Sequence, residues 1–408
     1  CGFIQSARDE ATAAIRDAVR WKKAGRKRGF IRKVVVCGCW AQRDKESILA
    51  LTKEIDAVVG IDEVPNMADI ILSLFDDDEQ IVRVSEASPT YLYDHTTPRI
   101  SATPPSFSLV KIAEGCNHRC SFCAIPGIRG NQRSRAVSSV VTECKQLIAS
   151  GAKELDIIAQ DTTAYGIDLP ERPTLAALLK KINAIKGDYW LRVQYTHPFH
   201  ITDEFLDCFE QCDHLVPYLD VPLQHISDPL LKSMRRAITS DQTRRLMDSI
   251  RSRFPEMCIR TTLITGYPGE TEEHFQELYD FVREYEFDRL GVFPYSPEPG
   301  TPAAAITEGL VPARVAEERM EALMKLQQGI SLKRNKALIG KRCRVLVEGQ
   351  ETPRLWVARG TGDAPDVDQE IEITCPKGMK LKMDEFAWVT ITGASEYKLS
   401  AQAESPAK

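Results

Sequence analysis

The chain has 408 residues, which is too long for one ordinary domain, and its 43% hydrophobic and 27% charged residues are typical of a globular protein of two or three domains. Its formal net charge of -5 excludes a global basic field of the kind that grips nucleic acid. No apolar run reaches the roughly 18 residues of a membrane span, and the N-terminus lacks a signal-peptide pattern, so a cytoplasmic protein without membrane contact is expected.

Twelve cysteines in such a chain indicate metal-binding or catalytic roles, because thiols of the cytoplasm are kept reduced. The sequence begins at Cys1 without a methionine, and we expect it to lack its natural start.

The first 95 residues predict a small α/β domain. An amphipathic stretch at 11–23 precedes the apolar run VVVCGCW at 34–40, which is followed by the helical pattern KESILALTKEI. A stretch rich in Pro, Ser and Thr, SPTYLYDHTTPRISATPPS, then marks a connection. We place the N-terminal domain at residues 1–95.

The middle of the chain alternates apolar strand patterns with helical patterns. Six segments have the strand pattern: SLVKIAEG, ELDIIAQD, WLRVQYTHP, LVPYLDVPLQH, IRTTLITGYPGE and RLGVFPYSPEPG. Such alternation predicts parallel βα units, and six units predict an incomplete barrel of the (βα)6 type, open on one side, over residues 102–335. Polar residues follow the strands, and chemistry in barrels lies at that end.

The last part of the chain has a different pattern. A helical run at about residues 312–338 closes the central domain. RCRVLVEGQ, RLWVARG, EIEITC and EFAWVTITGAS are short, rich in β-branched residues and separated by turn residues. This pattern predicts a small antiparallel β-barrel at residues 336–400.

The segment EGCNHRCSFC gives the spacing Cys116-x3-Cys120-x2-Cys123 directly after the first strand pattern. Three thiolates suit a 4Fe-4S cluster, and one iron is then left for the amino and carboxylate groups of S-adenosylmethionine. Reductive cleavage of that cofactor gives a 5′-deoxyadenosyl radical. Zinc, with His118 as the fourth ligand, is the alternative for this segment.

The spacing matches the signature of the radical S-adenosylmethionine superfamily. The segments EGCNHRCSFCAIPGIRGNQRSR, IAQDTTAYGID, YTHP, VPLQHISDPLLKSMRR, LITGYPGETEEHF and GVFPYSPEPGTPAA further resemble the methylthiotransferase family within it. The resemblance covers nearly the whole chain. It implies an N-terminal α/β domain, a radical barrel and a C-terminal TRAM barrel, in that order.

The resemblance also implies a second 4Fe-4S cluster, held by three cysteines of the N-terminal domain. Cys1 and Cys39 match two of them, and the first family cysteine has no counterpart here. One cluster is therefore expected from Cys116, Cys120 and Cys123, and two in a full-length enzyme. Cys37, two residues before Cys39, either substitutes as a ligand or packs in the core.

Contacts with S-adenosylmethionine are carried over from the superfamily pattern. Phe122 matches the position whose backbone contacts adenine. The alternative is that this residue only packs within the loop. Gln160 and Asp161 match the place where the amino group or ribose is bound, and Ile264 with Gly266 matches the adenine-contacting strand. Gln224 is expected to contact the ribose or the substrate. No catalytic residue was identified, and the place of Glu270, four residues after Gly266, departs from the superfamily pattern.

Two branches of the family differ in substrate. The form QDTTAYGID resembles the branch that methylthiolates the β-carbon of an aspartate on ribosomal protein uS12, within the small ribosomal subunit. Residues 341–398 hold nine Lys and Arg against ten Asp and Glu, whereas a domain that binds RNA should be basic. Five acidic residues in this part of the chain form a strip that suits binding of a basic protein: Asp363, Asp366, Asp368, Glu370 and Glu372. A solvated acidic loop is the alternative for that strip.

The resemblance implies a reductant such as flavodoxin or ferredoxin as a further partner. Two alternatives for the function stay open: methylthiolation of an adenosine in tRNA, and a zinc-stabilised RNA-binding adaptor without catalysis.

Overall fold

The computed structural model describes residues 2–24, 31–77, 79–100, 103–376 and 378–404. The chain forms two compact units. The first unit comprises residues 1–92, 114–133 and 296–307, and the second unit comprises residues 93–113, 134–295 and 308–408. No helix within the described ranges combines the length and apolar character needed to cross a bilayer.

The first unit contains a parallel sheet of the order β1-β2-β3, in which Val36, Val58 and Val82 lie side by side. Its core is apolar on both faces, because parallel strands are covered by helices; Ile15, Trp40 and Ile48 pack on one side. The predicted N-terminal α/β architecture is confirmed. The elements are α1 (Gln5–Ala24), β1 (Val35–Cys37), α2 (Cys39–Arg43), α3 (Lys45–Leu49), β2 (Ala57–Val59), α4 (Met67–Asp76) and β3 (Ile81–Arg83).

The second unit contains the six predicted strands of the barrel, all parallel. They are β4 (Phe107–Lys111), β7 (Glu154–Ile158), β8 (Trp190–Val193), β9 (Tyr218–Asp220), β10 (Cys258–Thr265) and β11 (Arg289–Pro294); β5 (Ala113–Glu114) and β6 (Arg133–Ser134) are two-residue strands between β4 and β7. The strands form the sets β4-β7-β8 and β9-β10-β11. A hydrogen bond from the Val216 N–H to the Leu191 carbonyl (2.9 Å) connects the sets.

No pairing between β11 and β4 occurs among the described residues, so the barrel is open there, as predicted. Helices connect the strands and bury one apolar face each. They are α5 (Ile125–Arg129, in the first unit), α6 (Val137–Ala149), α7 (Leu175–Asn183), α8 (Asp203–Gln211), α9 (Asp228–Ser233), α10 (Ser240–Arg253), α11 (Glu272–Tyr285) and α12 (Ala313–Lys336). The core of this unit joins strand residues such as Leu155 and Leu263 to helix residues such as Leu178 and Leu278, all fully buried.

The chain ends in a closed five-stranded barrel of the order β12-β13-β14-β16-β15. Four of its five strand pairs are antiparallel, and the β14–β16 pair is parallel. The predicted small C-terminal barrel is confirmed, whereas the domain boundaries given above stay predictions. Its strands are β12 (Arg342–Thr352), β13 (Leu355–Gly360), β14 (Glu370–Thr374), β15 (Phe386–Ala394) and β16 (Lys398–Ala403).

Within the second unit, the C-terminal barrel contacts the residues with which the central strands begin. Arg359 pairs with Glu154 (Nη2–Oε2, 2.7 Å), at the start of β7. Asp363 accepts from Arg289 (2.6 Å), at the start of β11. Since the strands are parallel, the polar residues that follow them lie at the opposite edge. The small barrel therefore covers the end of the strands that barrel enzymes do not use for chemistry.

Two residues of the acidic strip, Asp363 and Asp368, form ion pairs inside the second unit. Asp363 is 3% exposed and paired with Arg289. Asp368 accepts from Arg260 (2.6 Å) and from the Tyr218 hydroxyl (2.7 Å). These two carboxylates therefore hold the unit together and are neither a solvated loop nor a surface for a basic protein, whereas Asp366 and Glu370 are exposed.

Candidate radical and sulfur-carrying sites

The predicted cluster cysteines lie in the first unit, on the loop that follows β5 in the chain. Cys116 and Cys120 are buried and Cys123 is half-buried. The Cys123 N–H donates to the Cys120 carbonyl (3.1 Å), which closes a tight turn, and the Cys116 N–H donates to the Gly130 carbonyl (3.1 Å). Backbone hydrogen bonds therefore fix the loop at both ends of the cysteine segment.

Two glycines make this loop possible. Gly115 has a φ of +81°, and a Cβ there would stand 2.2 Å from the Asn131 carbonyl oxygen. Gly130, with a φ of +75°, ends the short helix α5. Both conformations are unfavourable for residues with a Cβ. The glycines of EGC and RG are therefore needed in this chain for backbone reasons, in addition to the three thiols.

The donor set of the loop fits an iron-sulfur cluster, because three thiols on one backbone-fixed loop are soft ligands of the kind that iron-sulfur centres take.

Phe122 lies in the turn between Cys120 and Cys123 and is half-buried. Its neighbour Ser121 accepts at its carbonyl from the Ala303 N–H (2.9 Å). This bond fixes the backbone on one side of Phe122, which is the group that the superfamily pattern directs at adenine.

Of the two cysteines expected to hold the second cluster, Cys1 lies outside the described residues. Cys39 is the first residue of α2, after Gly38 with a φ of 102°. Its sulfur accepts from the Arg129 guanidinium, from Nη2 at 2.9 Å and from Nε at 3.2 Å. Arg129 also pairs with Glu114 (3.1 Å), so Cys39 is connected through one side chain to the segment that carries Cys116.

Cys37 ends β1 and is exposed. The alternative of a packed core thiol is therefore wrong for this residue. Its possible role as a substitute ligand stays a prediction.

Gln160 and Asp161 follow β7 in the second unit, as the sequence pattern predicts. Asp161 is 1% exposed; one carboxylate oxygen accepts from the Thr163 hydroxyl (2.6 Å), and the other meets His200 Nδ1 (2.9 Å). Gln160 is half-buried beside it. The carboxylate of Asp161 thus organises the loop after β7, and of the two neighbours Gln160 is the more exposed to a ligand.

Gln224 and Ile264 are brought together by backbone hydrogen bonds. The Gln224 N–H donates to the Thr262 carbonyl (2.8 Å), and the Ile264 N–H donates to the Gln224 carbonyl (2.8 Å). Gln224 has a φ of 74°, in the left-handed region that non-glycine residues seldom adopt. Such an outlier at a strand end is consistent with a ligand-contacting role for Gln224.

Gly266 is required by packing inside the fold. Its φ is +74°, and an added Cβ would stand 2.2 Å from the Ala316 Cβ of α12. The Gly266 N–H donates to the Glu270 carboxylate, which also pairs with Arg319 (3.1 Å). Glu270 is 4% exposed and meets His225 Nε2 at 3.4 Å. Its displacement from the superfamily position is explained by this role, since it anchors the loop after β10.

The sequence pattern assigned no role to Arg129 or His200, although Arg129 stands in a motif and His200 follows YTHP. Glu298 is one of the polar residues that follow the barrel strands, but its partners could not be predicted. Its side chain is 1% exposed, and a buried carboxylate needs a charged partner.

Three family models match the chain, and together they span most of it. The Radical SAM superfamily matches residues 110–282, the TRAM domain matches residues 339–403, and the Uncharacterized protein family UPF0004 matches residues 1–60.

Curated relatives match nearly the full length. The chain is similar to the ribosomal protein uS12 methylthiotransferases RimO of Desulforamulus reducens (39% identity, 98% of this chain and 89% of the relative), Opitutus terrae (42%, 98% and 87%) and Geobacter sulfurreducens (41%, 98% and 88%). Among solved structures, the radical S-adenosylmethionine methyltransferase TsrM of Kitasatospora setae aligns with a TM-score of 0.48 at 16% identity, over 79% of this chain and 81% of that one.

Proposed function

Because the chain belongs to the ribosomal protein uS12 methylthiotransferase family, we propose that it replaces a hydrogen on the β-carbon of an aspartate of uS12 by a methylthio group. It is an enzyme of the radical S-adenosylmethionine type, and its cofactors are 4Fe-4S clusters and S-adenosylmethionine. The observation that carries the radical chemistry is the loop of Cys116, Cys120 and Cys123, whose backbone conformation requires Gly115 and Gly130.

The cluster and S-adenosylmethionine supply an organic radical that can take a hydrogen from an unactivated carbon. The protein supplies the positions. Cys116, Cys120 and Cys123 would hold the cluster, and the backbone at Phe122 would contact the adenine of the cofactor. In the second unit, Gln160, Asp161 and Gln224 are proposed to bind the polar groups of the cofactor, and Ile264 with Gly266 to face its base.

Cys39, together with Cys1, is proposed to hold the second cluster, which would supply the sulfur of the methylthio group. Arg129 donates two hydrogen bonds to the Cys39 sulfur, and charge-assisted hydrogen bonds of this kind are stronger than neutral ones. The guanidinium thereby orients a ligand of the second site from the loop of the first.

For the partners, we propose uS12, in free form or within the small ribosomal subunit, and a small electron carrier such as flavodoxin or ferredoxin. A cytoplasmic location follows from a ribosomal substrate. The relatives that match nearly the full length carry the uS12 name, and none of these findings favours the tRNA enzyme or the zinc adaptor.

The proposal is tested with the anaerobically reconstituted protein, S-adenosylmethionine, dithionite, and an equimolar mixture of uS12 and tRNA. We expect 5′-deoxyadenosine to form and the uS12 peptide to gain one methylthio group. Methylthiolated adenosine in the tRNA with unmodified uS12 would overturn the assignment, and a colourless zinc-loaded protein would overturn the radical chemistry.

A further inference from the structure

Glu298 is a buried carboxylate in the first unit, within the motif SPEPGT. Its side chain is 1% exposed. One oxygen accepts from the Gln5 N–H (2.9 Å) and the Ser296 hydroxyl (2.8 Å), and the other accepts from Arg8 Nη1 (2.7 Å) and Arg43 Nη1 (2.9 Å). Burial raises the pKa of Glu298, but the hydrogen bonds outweigh it and hold that pKa below its usual value. The Glu298 carboxylate therefore fixes the positions of the four groups that donate to it.

The partners of Glu298 belong to the two segments that carry the expected ligands of the second cluster. Arg43 ends α2, the helix that begins with Cys39. The same Arg43 Nη1 donates to the carbonyls of Gly2 and Phe3 (both 2.9 Å), the two residues that follow Cys1 in the chain. Arg43 Nη2 donates to the Pro299 carbonyl (3.0 Å). One guanidinium therefore ties the start of the chain, α2 and the SPEPGT segment together.

A second contact, independent of Glu298, joins the same two segments. A Cβ on Gly2 would stand 2.5 Å from the Trp40 Cα. Trp40 directly follows Cys39 and is buried. The glycine of CGFI is therefore needed for close approach of the chain start to α2, and the backbone after Cys1 lies against the backbone after Cys39.

We propose that Glu298 is a positioning residue for the sulfur-carrying site: through Arg43 and Arg8 it fixes the helix that begins with Cys39 against the segment that follows Cys1, and so sets the place of the Cys39 thiol. The inference rests on the proposed function. Glu298 acts on Cys39 only through other residues, by way of the four hydrogen bonds that its carboxylate accepts.

The experiment compares Glu298→Gln with the matched control Glu308→Gln, an exposed glutamate ten residues further along the chain. The first measurement is the alkylation rate of Cys39 by iodoacetamide in the full chain before reconstitution, read by mass spectrometry of the peptide. Exposed Cys37 on β1 is the internal reference. Because the loss of a buried charge pair loosens the segments that it joins, we expect the Cys39 rate in E298Q to rise relative to the Cys37 rate, with no change in E308Q.

Equal rates in E298Q and E308Q would overturn the proposal. A parallel rise at Cys37 and Cys39 would also overturn it, because the first unit would then have loosened as a whole. Arg43→Lys, which keeps the charge but cannot donate to Gly2, Phe3 and Pro299 at once, is the second variant, and we expect it to raise the Cys39 rate by less than E298Q.

The second measurement is iron and sulfide per chain after anaerobic reconstitution. Because one cluster is expected in this chain, held by Cys116, Cys120 and Cys123, we expect equal contents in E298Q, E308Q and the wild type, and a loss in E298Q alone would overturn a role confined to the Cys39 segment. Neither measurement uses uS12 or S-adenosylmethionine. If methylthiolation of uS12 fails while the Cys39 rate responds as expected, the substrate assignment is wrong and the positioning role stands.

Discussion

The Arg129 guanidinium donates to the Cys39 sulfur at 2.9 and 3.2 Å, although the two residues lie 90 positions apart in the sequence. Arg129 ends α5, six residues after Cys123. The loop with Cys116, Cys120 and Cys123 thus carries the group that donates to the Cys39 sulfur, and the two sites proposed for the reaction are connected through one side chain.

Arg129→Gln is expected to reduce transfer of the methylthio group more than cleavage of S-adenosylmethionine. A hydrogen bond to a charged group contributes about 1.5–3 kcal/mol, so its loss predicts a decrease of roughly 10- to 100-fold in transfer. The measurement is the ratio of methylthiolated uS12 to 5′-deoxyadenosine. Arg119→Gln is the control, since Arg119 is an exposed arginine on the same loop with one long bond to Asn131 (3.3 Å). An unchanged ratio in R129Q would exclude the coupling.

Arg359→Gln is expected to weaken the attachment of the C-terminal barrel. Arg359 is 2% exposed and pairs with Glu154 and Glu348, each at 2.7 Å. Removing one member of a buried ion pair leaves the other charge uncompensated, which costs about 3–5 kcal/mol. Urea unfolding measures the loss. Arg314→Gln, at a residue whose side chain is 79% exposed, should cost less than about 0.5 kcal/mol, and equal losses in the two variants would refute the account.

The stability of the second unit should fall as the pH rises towards 9. Burial, and after it the charge of Glu154, raises the pKa of Asp156 from 3.8 to about 8. The folded protein therefore holds a proton that the unfolded chain releases near pH 4, so stability is lost progressively as the pH rises from about 4 to about 8. Thermal unfolding at pH 6 and pH 9 measures the effect.

Asp156→Asn should make the unfolding temperature less dependent on pH over this interval, because asparagine does not titrate. Asp213→Asn, at an exposed aspartate, should keep the wild-type dependence. If D156N and D213N show the same change of unfolding temperature between pH 6 and pH 9, the protonation of Asp156 in the fold is contradicted.

Gly266→Ala is expected to destabilise the protein by about 2 kcal/mol or more. The added methyl meets Ala316 and the residue must keep a φ of +74°. Ala316→Gly in the same chain should recover the steric part of the loss and leave the part due to φ. Thermal unfolding of the single and double variants checks this, and an unaffected G266A would show that the loop adjusts freely.

Local sequence patterns were sufficient to predict the helices and strands of the barrel and the loop that carries the three cysteines. The six strands of the barrel are short apolar runs with polar endings, and the long helix predicted at about 312–338 is α12 at Ala313–Lys336. These features depend on periodicity and spacing, which a single sequence contains.

Long-range ion pairs could not be predicted from the sequence. Asp363 and Asp368 form an acidic strip in the sequence, and their partners Arg289 and Arg260 are more than 70 residues away. Glu298 likewise finds Arg8 and Arg43 at the other end of the chain. No local pattern specifies such partners, because each depends on which strand ends and loops the fold brings together.

The central claim is tested most directly with S-adenosylmethionine that carries a deuterated methyl group, reacted with uS12 by the wild type and by Cys120→Ala. We predict that the wild type places a labelled methylthio group on an aspartate of uS12 and forms 5′-deoxyadenosine, and that C120A does neither. Labelled uS12 from C120A, or a wild type that forms 5′-deoxyadenosine and never labels uS12, would contradict the claim.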